Sequence, residues 1–240
     1  MALFCALALC LWEASVLIFN FPAYVLPSAS AVFLVIIGAW GELGPHLIAT
    51  TWKAFVAAPT AVAVALGLTL LSDTAALLRN PILITTSFLE AIPKVAIAPL
   101  LIIWLGVGTE SKIFLAVLIC LYPAYQRLEA AWLAVPGELV DFAKSLGASP
   151  LKVAITIRLR WIVADLWECL RLCIPLSFVG VMLGEIVASE DGIGTVVMYG
   201  LGQLDMALVM ACAFGIGLIS SAAVLLCSLA HRSALSHRDA

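Results

Sequence analysis

Few residues in this chain carry chemistry, and most of those are ionisable groups set among apolar neighbours. Glu90 and Lys94 stand four apart in one apolar run, the order that favours a helical ion pair. A charge at mid-bilayer costs about 2.5–3.5 kcal/mol on insertion scales, so such residues need a reason to be there. Two readings are open for Lys94, which is flanked by Pro93 and Pro99. Either it faces a solvated path and attracts an anionic solute, or it belongs to a structural pair with Glu90. Glu185 ends another apolar run and is a second candidate for lining such a path, the alternative being a solvated boundary residue. Glu168 and Arg171, three apart and close to Asp165, read as a local ion pair. No H-E-x-x-H, Ser/His pair or pair of intramembrane Asp is present, so an intramembrane enzyme is disfavoured. His46, His231 and His237 do not cluster, and no His/Asp/Glu relay of the proton-carrier kind is visible. The seven Cys all lie in apolar stretches without C-x-x-C spacing. Even Cys169 and Cys173, on one helix face, read as small buried hydrophobes, and no metal site is expected.

A second group of residues has the spacing of a surface helix. Val135, Leu139, Phe142, Ala143 and Leu146 fall on one stripe, with Glu138, Asp141, Lys144 and Ser145 on the other side. Pro136 and the acids stand near its start, Lys144 lies in its last turn and Gly147 follows as a stop. Ser149-Pro150 then reads as the N-cap and first position of another short helix carrying Lys152, Arg158 and Arg160. A surface helix resting on lipid headgroups has the same pattern.

What positions these residues follows from composition. Of 240 residues, 64% are hydrophobic and 11% charged, with a mean hydropathy of +1.16. An ordinary soluble domain is about half apolar and about a quarter charged, so this chain belongs in a bilayer. Net charge is −3, which makes nucleic acid an unsuitable partner. A crossing helix needs about 20 mostly apolar residues. The expected spans are 1–19, 52–71, 82–105, 112–128, 164–188 and 206–229, about six in an all-α bundle forming one domain over 1–240. The apolar run Ala31–Trp40, followed by Gly41, Gly44 and Pro45, reads as an interfacial segment. The first helix reads as retained: no Lys or Arg precedes it, and Leu9 is too large for lipoprotein cleavage before Cys10.

Orientation follows from basic residues. With the N-terminus inside, inner segments hold Arg79, Arg127, Lys144, Lys152, Arg158, Arg160, Arg232 and Arg238; outer ones hold Lys112, with Lys53 at a boundary. That bias puts both termini in the cytoplasm. The loop 189–205 is then an acidic, Gly-rich outer loop, and 129–161 is the long inner loop. No repeat is visible, which disfavours a secondary transporter of duplicated halves.

The inner loop also resembles a known pattern. Asp141-Phe142-Ala143, three residues, Gly147, nine residues, Ile157, one residue, Leu159 is similar to the EAA loop of ATP-binding-cassette (ABC) importer permeases. Asp141, Phe142 and Arg160 stand where that family has Glu, Ala and Pro. The literal Glu129-Ala130-Ala131 upstream lacks the following Gly. Ile92 to Leu100 with Trp104-Leu105-Gly106-Val107-Gly108, Ser111-Lys112-Ile113-Phe114, Tyr122-Pro123, and Gly184-Glu185 with Asp191-Gly192-Ile193-Gly194 resemble nitrate/sulfonate/taurine-type permeases. The resemblance covers about residues 45–229 and implies a type I importer fold in the bacterial inner membrane. It also implies no enzymatic activity or bound cofactor in this chain, whose pattern lacks G-x-x-x-x-G-K-[ST]. The implied partners are a cytosolic ATPase that consumes ATP, a second permease chain as a homodimer, and an extracytoplasmic solute-binding protein. The rivals are an ion-coupled secondary transporter and a non-transporting scaffold.

Overall fold

The computed structural model describes residues 2–74 and 76–236, and every regular element among them is helical. His237 and Arg238 lie outside the described residues. In chain order the helices are α1 (Ala2–Phe19), α2 (Ala29–Gly38), α3 (Trp40–Thr74), α4 (Ala76–Ala91), α5 (Lys94–Leu105) and α6 (Thr109–Leu133). They continue as α7 (Gly137–Ser145), α8 (Pro150–Val153), a π-helical turn (Ala154–Arg158), α9 (Leu159–Trp161), α10 (Val163–Val187), α11 (Ile193–Gly202) and α12 (Met206–Ser236).

Helices α3, α6 and α10 pack on one another and hold most of the core. Their contact faces are stripes of small residues: Ala54, Ala57, Ala58, Ala61 and Ala65 on α3, Ala116, Cys120 and Ala124 on α6, and Cys169, Cys173 and Gly180 on α10. Lipid tails are as apolar as Leu, so burial of oil does not drive helices together in a membrane. Close van der Waals approach does, and small residues permit it. A Cβ added at Gly180 would lie 2.4 Å from the Ala116 Cα, and one at Gly184 would lie 3.0 Å from Cγ of Lys112. The Gly180/Gly184 face is therefore an internal contact with α6. The thiols serve the same packing: Cys120 Sγ donates to the Cys173 carbonyl at 3.4 Å.

Against the expected six or so spans, the described residues offer four to five by length and composition. Four helices, over Trp40–Asp73, Thr109–Leu133, Val163–Val187 and Met206–His231, are long and apolar enough to cross. The expected span 82–105 is a bent pair, α4 and α5 meeting at 99°, which makes five if it counts as one crossing. The cause is local, because a proline pushes the preceding residue out of helical geometry, so Ile92 leaves the helix before Pro93. Helix α1 is 18 residues long, at the lower end of the length a crossing needs. It is tied to the start of α2: Trp12 Nε1 donates to the Pro27 carbonyl at 3.1 Å, and Ser30 Oγ donates to Glu13 at 2.6 Å.

Two further expectations change. Gly41, Gly44 and Pro45 do not end an interfacial segment but lie inside α3, which begins two residues after α2 ends. Pro45, like Pro59 further on, lies within α3 without ending it. The loop 189–205 is largely helix, α11, packed on α10 and α12.

Gly180→Ala should destabilise the bundle by about 1–3 kcal/mol, since a Cβ there overpacks a backbone contact. Gly67→Ala, with nothing within 4 Å of the new carbon, should be neutral or better. Thermal unfolding in detergent compares the two; equal behaviour would contradict the packing described.

Candidate functional site

The ends of α3, α6 and α10 gather two sets of polar residues. At one end lies α7, a short helix stopped as its sequence suggests. Gly147 has φ +80, its N–H donates to the Lys144 carbonyl at 2.9 Å, and the Ala148 N–H donates to the Ala143 carbonyl at 3.1 Å. That double bond pattern around a left-handed residue is a Schellman stop. Ser149 caps α8 by accepting from the Lys152 N–H at 3.3 Å.

Only one side of α7 is buried. Val140 packs into the core with Val135 and Val153, and Ala143 is half-buried against them. Ile157 and Leu159 also pack against that core. Glu138, Asp141 and Lys144 are exposed, as polar residues should be. Phe142 is 65% exposed and Leu146 73%, with Leu139 beside them. The apolar stripe read from the sequence is thus split, Val135 buried and Leu139, Phe142 and Leu146 facing outward, with Leu151 and Ile155 exposed nearby. Large apolar side chains on a surface, in a group and rimmed by charge, mark a contact surface.

At the opposite end, around the start of α11, charges are buried together. Lys53 of α3 is 0% exposed and Glu185 of α10 is 1% exposed. The Lys53 ammonium donates to Glu185 Oε1 at 3.0 Å and to Asp191 Oδ1 at 2.8 Å. The other Glu185 oxygen accepts from Thr50 Oγ1 at 2.8 Å and from the Gly194 N–H at 3.1 Å. Thr50 Oγ1 in turn accepts from the Ile193 N–H at 2.8 Å, and His46 Nδ1 accepts from the Gly192 N–H at 3.1 Å. Three orphan N–H groups at the α11 N-terminus are thereby satisfied by side chains of α3 and α10, with a carboxylate where the helix dipole favours one. Both glycines are required here. Gly192 has φ +102, and a Cβ there would fall 2.1 Å from the Glu185 carboxylate; one at Gly194 would fall 2.5 Å from the Glu185 Cβ. Lys112 is buried alongside, its stem against Gly184 and its ammonium donating to the Val107 carbonyl.

Lys94 sits at the α4–α5 bend. Its ammonium donates to the Leu89 and Glu90 carbonyls at 2.9 and 2.8 Å and to Glu90 Oε2 at 3.0 Å. It thus caps the carbonyls left unpaired where α4 stops. Arg171 pairs with Glu168, and Asp165 pairs with Arg127 of α6 at 2.9 Å. Lys94 and Glu185 are not brought together: each is bonded within its own set. Sequence reasoning singled out Glu185 but not its partners Lys53 and Thr50, which lie 132 and 135 residues away. The available signal was charge balance, since a Lys and a Glu that both fall within apolar helices each need a partner.

A bundle of long apolar helices with an outward-facing amphipathic helix at one end defines an integral membrane protein. The chain belongs to the family described as binding-protein-dependent transport system inner membrane component, whose model matches residues 63–234. It is an ABC importer permease, a multi-pass protein of the inner membrane, and its family implies ATPase and binding-protein partners. It is 29% identical to the riboflavin transport system permease protein of Chloroflexus aurantiacus over 94% of this chain and 85% of that protein. It is 27% identical to the taurine transport system permease protein of Escherichia coli over 90% of this chain and 79% of that protein. Its fold is similar to that of the MetNI methionine ABC transporter in an inward-facing conformation, with a TM-score of 0.60 at 15% identity, covering 77% of this chain and 95% of that one.

Glu185→Gln should cost about 3–5 kcal/mol by leaving Lys53 as a poorly compensated buried charge, read by thermal unfolding; a wild-type melting curve would contradict the cluster. Asp191 supplies a pH signature. The Lys53 ammonium bonded to it holds its carboxyl below the ordinary value. A depressed folded value means stability fully present above the unfolded carboxylate pKa, about 3.9, and lost as pH falls through the folded value. Acid destabilisation below about pH 4 should therefore be shallower in Asp191→Asn than in wild type; parallel pH profiles would contradict this.

Proposed function

We propose that this chain moves a small solute inward when a separate ATPase grips α7 and drives the bundle between two openings. The observation that carries this is the outward-facing Phe142/Leu146 surface on a helix stopped at Gly147 and anchored beneath by Val140. On this reading Glu138, Asp141, Phe142, Ala143, Lys144, Leu146 and Gly147 form the contact with the ATPase, while Ile157 and Leu159 root it in the bundle. ATP is consumed on the partner, and this chain is not itself an enzyme.

The α7 end faces the cytoplasm in this account, because the basic residues Arg79, Arg127, Lys144, Lys152, Arg158 and Arg160 collect there. His231, late in α12, stacks on Trp167 near the start of α10, at that same end. The C-terminus is assigned to the cytoplasm, and the N-terminus joins it there if α1 crosses the membrane as well. The α11 end then faces outward and receives the binding protein, and two copies of this chain form the pore. The solute is a small anion of the sulfonate or taurine type, a reading that leans on the taurine permease relative. Lys94 and Glu185 stay candidate path residues only if their bonds open during the cycle.

Phe142→Asp should lower co-purification of the ATPase by at least about tenfold, as loss of a central apolar anchor does, while the chain still reaches the membrane. A photo-crosslinker at Leu146 should capture the ATPase and one at Tyr199 on α11 should not. Undiminished co-purification, or capture at both positions, would overturn the assignment.

A further inference from the structure

Building on the coupling role given to α7, we infer that Arg158 is the positioning residue that hands movement of the α7 segment to α3 and α6. The segment leaving α7 meets the bundle in two ways. Val140, Val153 and Ala154 make apolar contacts, which are non-directional and can slide. Arg158 makes directional ones. Its Nη1 donates to Asp73 Oδ1 at 2.6 Å, and its guanidinium lies 5.6 Å from the centre of the Trp132 ring. Among the described residues this is the one ion pair joining Gly137–Trp161 to another element.

The placement of its partners is not explained by helix stability. Asp73 lies in the last turn of α3, where a helix dipole disfavours a carboxylate and a cation must compensate. Trp132 lies in the last turn of α6 and is almost wholly buried. The two helix ends are also bracketed to each other: Ser72 Oγ donates to Glu129 Oε2 at 2.9 Å, and Arg79 holds the other Glu129 oxygen at 2.8 Å. A push on Arg158 thus meets both ends as one unit. Arg158 itself closes the π-helical turn Ala154–Arg158, an over-wide turn of a kind frequent at functional sites. From Asp73, α3 runs unbroken to Lys53, a rod of about 30 Å at 1.5 Å per residue. Displacement received at Asp73 therefore arrives at the Lys53–Glu185–Asp191 cluster that holds α11.

The test uses the full complex with its co-purified ATPase in nanodiscs. One readout is ATP hydrolysis. The other is the maleimide reactivity of Tyr199→Cys on α11, resolved by mass spectrometry with and without ATP and vanadate, which needs no knowledge of the solute. In the parent complex the reactivity should change on trapping. Arg158→Gln and the milder Asp73→Asn should each keep hydrolysis within about twofold yet shrink that change about tenfold, within the range that residues along a coupling route command. The charge exchange Asp73→Arg with Arg158→Asp should restore it. An undiminished change in both single variants, a proportional fall of hydrolysis and reactivity change, or a failed exchange would overturn the relay. So would a parent complex that hydrolyses ATP with no change at position 199. A parent chain that retains no ATPase at all would instead remove the coupling reading on which the relay rests.

Discussion

The arrangement at the α11 end depends on one buried contact, between the ammonium of Lys53 and the carboxylate of Glu185, both fully shielded and 3.0 Å apart. Neither charge would be tolerated alone in a bilayer, and each makes further polar contacts besides the pair. Glu185 takes Thr50 and the Gly194 N–H; Lys53 takes Asp191. Meeting that demand folds the segment after α10 back over the end of the bundle and starts α11 at a fixed point. The glycines at 192 and 194 are consequences of the same contact, because the carboxylate occupies the space where their side chains would stand.

The rest of the bundle extends this constraint towards the other end. Alanines along α3, and cysteines and glycines along α10, let the helix axes approach closely enough for dispersion to hold them together without a hydrophobic drive. Prolines 59, 123 and 175 lie inside the crossing helices without breaking them, whereas Pro93 sits where the chain does break. At that bend Lys94 caps the freed carbonyls. A lysine in an apolar run thereby has a structural use, as a cap, in addition to any role it takes when the helices move.

How much of this was readable beforehand varies with the range of the interaction. Signals carried by neighbours in sequence were legible: the helix at 137–145, its stop at Gly147 and the cap at Ser149 follow from residues within a turn or two. The Glu168–Arg171 pair is equally local. Hydropathy found the crossing segments but not the bend between α4 and α5, because both halves are apolar and only the geometry around Pro93 distinguishes a bend from a straight span. Gly41, Gly44 and Pro45 look like punctuation, yet they lie inside α3. Lys53 and Glu185 lie too far apart in the chain for any pattern to pair them. The direction of Phe142 was equally hidden, since a stripe at helical spacing does not say which part of it the bundle covers. The loop's likeness to importer permeases anticipated the family, which the match over residues 63–234 shows.

The central claim is that motion in this chain is driven from outside it, through α7. Proteoliposomes holding the chain alone, or the chain with its co-purified ATPase and binding protein, measure this most directly when offered taurine, other sulfonates and riboflavin. The account predicts accumulation against a gradient only with the ATPase, its nucleotide and the binding protein present, and none when an ion gradient is imposed on the chain by itself. Uphill uptake by the lone chain under an ion gradient would contradict it.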